Sequence, residues 1–212
     1  MLDVAAPLQS DREAWLAQRL GHVTASRVAD VVARIKTGYA ASRANYAGQL
    51  IAERLTGTNG ATFTNEAMRW GTDNEPYARA AYEFRTDATV IDAPFIKHPA
   101  IEWSGASPDG LVGDDGLVEF KCPNTSTHIE TLLGGGIPEK YRLQMQWQLA
   151  CTGRAWCDFV SFDPRMPEDM RMFLRRFERE ADTIAHLERE VVKFLGEIDE
   201  TIDALRAVAA RG

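Results

Sequence analysis

The sequence predicts a mixed α/β (α+β) domain built around a central β-sheet. Three observations point there. The hydrophobic spacing is helical up to about Phe84, changes to short β-like runs in the middle, and then returns to helix. The order of segments is helices, a β-meander, a helix, strands and a last helix, which is not a regular βαβ repeat. The chain has 212 residues, 45% hydrophobic and 26% charged. That suits one folded domain over residues 1–212 and excludes a mostly disordered, collagen-like or coiled-coil chain.

The elements follow in order. Residues 11–20 (DREAWLAQRL) form a short amphipathic helix with Trp15 and Leu16 on its apolar side, stopped by Gly21. Val28, Ala29, Val31 and Val32 repeat at helical spacing, with Thr24 or Ser26 as the expected N-cap. A third helix covers Ser42–Leu55 and is ended by Thr56-Gly57. A fourth covers Asn65–Phe84, with Pro76 expected to restart or kink it around Asn74-Glu75. Thr89–Ile91, Phe95–Lys97, Glu102–Ala106 and Leu117–Lys121 read as short strands separated by Pro, Gly and Asp. Helix returns at Pro138–Thr152. Strands follow at Ala155–Phe162 and near Met170–Phe177, and a long amphipathic helix fills about 178–210.

Composition narrows the functional classes. No apolar run reaches the roughly 18 residues of a membrane span. The first residues lack the basic and apolar regions of a signal peptide. Three cysteines (Cys122, Cys151, Cys157) are too few for a disulfide framework, so a reducing, cytoplasmic setting is expected. They also lack Cys-x-x-Cys spacing, and the four histidines are scattered, which leaves zinc and iron–sulfur sites unsupported. Gly134-Gly135-Gly136 has no following Lys-Ser/Thr and is not a P-loop. Lys and Arg number 24 against 31 Asp and Glu, a net charge of −7, which does not announce a polyanion binder. The charge is segregated, however. Arg27, Arg34, Lys36 and Arg43 face only Asp30 between Ser26 and Asn45, while acids gather from Glu178 to Asp203. A local basic groove is compatible with that distribution.

The segment Ser107-Pro108-Asp109-Gly110, the turn Gly113-Asp114-Asp115-Gly116 and then Leu117-Val118-Glu119-Phe120-Lys121 carries the chemistry. Strand alternation puts Glu119 and Lys121 on one face and Phe120 on the other, in the core. A hairpin through the Gly-Asp-Asp-Gly turn brings Asp109 level with Glu119. Two carboxylates and an ammonium on one exposed sheet face make a hard-cation site with a positioned amine, and phosphodiester hydrolysis uses such a set. The same residues also fit a Pro-Asp-Gly turn and a solvated Glu-x-Lys face.

With this pattern the chain resembles the PD-(D/E)xK nuclease superfamily. More closely, over about residues 14–166, it resembles the lambda-type phage exonucleases, or YqaJ-like viral recombinases. The matching segments are Ala14-Trp15, Arg19-Leu20-Gly21, Val23-Thr24-Ala25-Ser26, Trp70-Gly71 with Glu75, Ser107-Pro108-Asp109-Gly110-Leu111, Glu119-x-Lys121-Cys122-Pro123, Gln144-x-Gln146 and Asp163-Pro164-Arg165-Met166. The resemblance implies a restriction-endonuclease-like core and Mg²⁺, or Mn²⁺ in its place, held by Asp109, Glu119 and the Phe120 carbonyl with support from Glu75. It further implies that Lys121 serves the nucleophilic water and that Gln146 orients water or phosphate. Arg19, Thr24, Ser26 and Ser107 would bind a 5′-terminal phosphate, Lys36 would approach duplex DNA, and Met68 is a candidate wedge between the strands.

Several of these residues have a plainer role open to them. Glu75 suits a first-turn acid, Arg19 a helix C-terminal cation, Ser26 an N-cap and Met68 core packing. After Lys121-Cys122-Pro123 the sequence offers Thr125, Ser126, Thr127 and His128 rather than a further basic phosphate ligand. The implied activity is Mg²⁺-dependent 5′-to-3′ digestion of one strand of linear duplex DNA. A homotrimeric ring, a single-strand annealing protein as partner and a phage recombination setting in the host cytoplasm go with it. Alternatives are a DNA endonuclease of the same fold, a non-catalytic DNA-end-binding module and a two-carboxylate sugar or phosphate hydrolase.

Overall fold

The computed structural model describes residues 9–60, 66–134 and 137–211, with the side chains of residues 9–12 and of Met68 outside that set. Helix α1 (Gln9–Arg19) ends before Gly21, whose φ of +70° makes the turn toward β1 (Val23–Thr24). One turn of 3-10 helix (Ala25–Arg27) leads into α2 (Val28–Val32). Neither Thr24 nor Ser26 caps α2. Its first turn is preceded by Arg27 and has no side-chain cap, because β1 draws Thr24 into a sheet and the 3-10 turn intervenes.

A hairpin absent from the sequence reading follows, β2 (Arg34–Ile35) with β3 (Gly38–Tyr39). Helix α3 spans Ala41–Thr56 and closes at Gly57, with φ +68° and its N–H on the Glu53 carbonyl. Helix α4 (Glu66–Thr86) runs unbroken through Pro76, so the expected restart near Asn74-Glu75 does not occur. Ala78 and Tyr82, packed in a buried cluster with the sheet, carry the helix past the one donor that proline lacks.

The strands β4 (Val90–Ile91), β5 (Ile96–Lys97), β6 (Ser104–Ala106), β7 (Gly110–Val112) and β8 (Gly116–Lys121) occupy the middle of the chain. Helices α5 (Thr125–Leu132) and α6 (Glu139–Thr152) then cross to β9 (Trp156–Phe162), which pairs parallel to β8. Strand β10 (Met172–Glu178) returns antiparallel, and α7 (Ala181–Ala209) ends the chain. The main sheet is five-stranded in the order β10-β9-β8-β7-β4, and a smaller sheet has the order β1-β6-β5. This mixed sheet between helical layers is the α/β architecture expected.

Strand β8 is buried on both faces, where one exposed face was expected. Val118 and Phe120 pack with Ala78 and Tyr82 of α4. Leu117 lies on the other side with α2, α3, α6 and α7, in a cluster containing Trp147, Phe159 and Phe194. Helix α6 is the centre of that layer: residues 144–151 are all buried, including Gln144, Gln146 and Gln148. A buried amide needs partners, and the partners these three find define the site below.

The acidic helix α7 packs on its own chain. Glu190 meets Arg34 at 3.2 Å and accepts the Tyr39 hydroxyl at 2.6 Å. Glu197 pairs with Arg43, and Asp199 with Arg54 at 2.9 Å. Glu188 Oε1 lies 3.3 Å from His98 Nε2. Arg27 is paired with Asp30. Of the basic stretch between Ser26 and Asn45, Lys36 alone makes no ion pair with a described residue, and it is exposed at the β2–β3 turn.

Candidate active site

The β7–β8 register pairs Gly110 with Val118 and Val112 with Gly116, which sets Asp109 across from Glu119. Asp109 Oδ2 accepts the Phe120 N–H at 2.7 Å. Pro108-Asp109-Gly110 is thus the entry to a strand, not a free turn. Gly110 is required there because a Cβ would meet Val90 Cγ1 of the neighbouring β4 at 2.1 Å.

Glu119 has no solvent exposure, and both its oxygens are engaged. Lys121 Nζ and Gln144 Nε2 donate to Oε1, and Gln148 Nε2 donates to Oε2 at 2.6 Å. Lys121 Nζ also stands 5.2 Å from the centre of the Tyr141 ring. Residues 144 and 148 are four apart and share one helix face. Gln146 sits on another face of α6. Its amide donates to the Glu178 carbonyl at 2.8 Å and accepts the Glu180 N–H at 2.9 Å, tying α6 to the β10–α7 junction. The role expected of Gln146 therefore has no support in its position, and Gln144 and Gln148 hold the carboxylate instead. The signal for them was the Gln-x-x-x-Gln spacing across 144–148.

Glu75 approaches from α4 at the solvent edge of this cluster. Burial, then the negative charge of Glu119, raise the Glu75 carboxyl, with Lys121 opposing. Burial and Glu119 push Asp109 well above the usual carboxylate range. Burial pulls the Lys121 ammonium down, but Glu119 and Asp109 more than offset it, and its value is raised. Asp109, Glu119 and Glu75 thus act electrostatically on one another and on the single Lys121 ammonium, a negative imbalance that a divalent cation would relieve.

Among the described residues no three His, Cys, Asp or Glu side chains converge as a ligand group. The fit to a metal therefore rests on donor chemistry. Asp109, Glu119 and the Phe120 carbonyl are hard oxygen donors, and with waters they suit Mg²⁺ or Mn²⁺ rather than a soft metal.

A polar corner adjoins the carboxylates. Parallel pairing of β1 with β6 sets Thr24 beside Gly105 and carries the two chains on toward Ser26 and Ser107. Arg19 Nη1 donates to Ser107 Oγ at 3.0 Å, and the Thr24 and Ser26 hydroxyls lie 3.4 Å apart. Burial lowers the Arg19 value, and Tyr46, Glu119 and Asp109 act against that. The turn carrying Arg19 is held from behind, since Glu53 accepts the Gly21 N–H at 2.9 Å. Four of the sequence-predicted anion ligands are therefore gathered. Lys36 lies exposed at the β2–β3 turn, and the Met68 side chain lies outside the described residues.

Residues 14–155 match the YqaJ-like viral recombinase domain, and the chain belongs to that family. It is similar to an alkaline exonuclease from Laribacter hongkongensis, with 53% identity and a TM-score of 0.88 over 94% of this chain and 98% of that one. The same exonuclease solved in complex with dAMP superposes with a TM-score of 0.89 at the same identity and coverage. A phage-related exonuclease from Haemophilus somnus 129PT shares the fold at 15% identity, with a TM-score of 0.71 over 87% of this chain and 96% of that one. A search of the curated proteins finds no match.

Proposed function

We propose that this chain is a Mg²⁺-dependent 5′-to-3′ exonuclease acting on linear double-stranded DNA. It releases 5′-mononucleotides and leaves a 3′ single-stranded tail for phage-type recombination. The observation that carries this reading is that Arg19 and Ser107, bonded at 3.0 Å, adjoin the Asp109/Glu119/Lys121 cluster. A terminal phosphate held at the first would present the next phosphodiester to the second. The dAMP bound by the Laribacter relative supports a mononucleotide product here.

Asp109 and Glu119 would hold Mg²⁺ together with the Phe120 carbonyl, and Glu75 would hold its waters. When bound, the cation supplies Lewis-acid polarisation of the phosphodiester and a more acidic water. Lys121 donates one of its three N–H groups to Glu119, and the others can orient the attacking water and meet charge developing on the phosphate. Gln144 and Gln148 fix the Glu119 carboxylate, so its lone pairs keep one direction through turnover. Arg19, Thr24, Ser26 and Ser107 bind the 5′-phosphate, and Lys36 contacts the duplex ahead of the site.

Through the family resemblance we extend the reading to a homotrimer encircling DNA, a single-strand annealing partner and action in the host cytoplasm. A ring eases the charge difficulty, because threading keeps DNA bound to a chain of net charge −7. No helix among the described residues is long and apolar enough to cross a membrane.

The test is digestion of 5′-phosphorylated linear and closed circular duplex, with and without Mg²⁺, by wild type and Lys121→Ala. Linear duplex should be consumed only with metal, and the variant should lose roughly 10²–10³-fold in rate. Cut circles would convert the reading to an endonuclease. Binding of ends without any cleavage would convert it to an end-binding module.

A further inference from the structure

Among the matching segments without a part in the mechanism above are Trp70-Gly71 and Asp163-Pro164-Arg165-Met166. The fold joins them. Asp163, at the exit of β9, is fully buried. It takes a two-point contact from Arg165, with Nε on Oδ1 at 2.7 Å and Nη2 on Oδ2 at 2.9 Å. Thr125 Oγ1 donates to Oδ2 at 2.7 Å, and Arg165 Nη2 reaches the Pro123 carbonyl at 3.4 Å. The exits of β8 and β9 are thereby tied together two residues beyond Lys121. The same guanidinium then lies over the Trp70 ring, 4.1 Å from its centre. Trp70 sits near the start of α4, five residues before Glu75, and Asn74 Nδ2 bonds its carbonyl at 2.8 Å.

We propose that Arg165 is a positioning residue. Seated on Asp163, it clamps Trp70 and so sets the first turns of α4, and Glu75 with them, against the end of β8. The inference rests on the reading of Glu75 as part of the nuclease site. Two connections carry it: a planar guanidinium with a fixed orientation, and an aromatic face that only such a cation grips well. Arg165 is part-exposed, at 45% of its side chain, so the rival role is a direct contact with DNA phosphate.

The experiment is a double-mutant cycle on the full chain, with Arg165→Ala, Trp70→Leu and Trp70→Phe each made alone and in a Glu75→Gln background. Steady-state kinetics on linear duplex are read together with calorimetric Mg²⁺ titration of the DNA-free protein. Arg165→Ala and Trp70→Leu should each lower turnover and Mg²⁺ affinity roughly 10–100-fold, with KM for DNA ends held. Trp70→Phe should restore most of the loss, because the ring face remains. Neither clamp variant should cost more once Glu75 is already Gln. Trp70→Leu keeps the test alive if Arg165→Ala, which strands a buried Asp163, fails to fold.

Losses that add to that of an impaired Glu75→Gln overturn the clamp alone. So does a raised KM on Arg165→Ala with Trp70→Leu silent, which assigns Arg165 to DNA. Wild-type turnover in Glu75→Gln overturns the reading of Glu75 and the clamp together.

Discussion

The two faces of β8 are both covered but differently built. Toward α4, Val118 and Phe120 meet Ala78, Tyr82 and Val160 in an apolar cluster, with Tyr82 and Phe120 edge to face at 5.9 Å. Toward α6, Glu119 sits at zero exposure under three donors, and Lys121 beside it keeps a quarter of its side chain in solvent. Burying a carboxylate is unfavourable unless each oxygen is satisfied, and a fold selected for stability alone would place a Leu there. The α4 face supplies the stability that lets the α6 face keep its charge. Phe120→Ala breaks the first half of this contrast and has the largest expected effect, a loss of about 3–5 kcal/mol. Urea unfolding followed by fluorescence measures it. A loss below about 1 kcal/mol would mean that the α4 face is not what anchors the strand.

The second contrast lies within α6. Gln144 and Gln148 bond Glu119, while Gln146 bonds the Glu178 and Glu180 backbone. Gln148→Leu should lower turnover roughly 10–100-fold, because the carboxylate loses one of its fixed directions. Gln146→Leu should keep wild-type turnover and lose about 1–3 kcal/mol of stability, since it strands a carbonyl and an N–H. Equal effects on turnover would erase the distinction. A turnover loss in Gln146→Leu alone would return that residue to the site.

These particulars show how far the sequence could be read. Alternation along Leu117–Lys121 and the Gly-Asp-Asp-Gly turn are local, and local pattern is enough to place Asp109, Glu119, Phe120 and Lys121 correctly. The helical phase of α6 is also local, but which face meets Glu119 depends on how a helix 25 residues away in sequence docks, as the Gln144 contact records. Spacing alone cannot choose 144 and 148 over 146. The unbroken course of α4 through Pro76 is decided by tertiary packing, which overrides a propensity. The acids of α7 only gather at one end of the sequence, yet in the fold they meet Arg34, Arg43 and Arg54 across 145 to 156 residues of chain. That pairing takes up two of the four cations of the apparent basic patch, Arg34 and Arg43, which composition could not show.

The smallest expected effect tests the place where the two faces of the strand converge, the Asp163 seat beyond β8 and β9. Burial alone would raise its carboxyl, but hydrogen bonds from Arg165 and Thr125 outweigh that and hold it at about 2. Its folded-state value is therefore below the unfolded one. The ionised form stabilises the fold fully above roughly pH 4, and the contribution fades as pH falls toward the folded-state value. Its size is on the order of 1–2 kcal/mol, reduced by the exposure of Arg165. Melting temperatures of wild type and Asp163→Asn, taken in steps from pH 6 down to pH 2, should differ most at the upper end and converge at the lower. The remaining carboxylates titrate in both proteins and cancel in the difference. A gap that stays constant with pH would show that Asp163 contributes through shape and neutral hydrogen bonds alone. The seat would then hold Arg165 without the charge that fixes its guanidinium over Trp70.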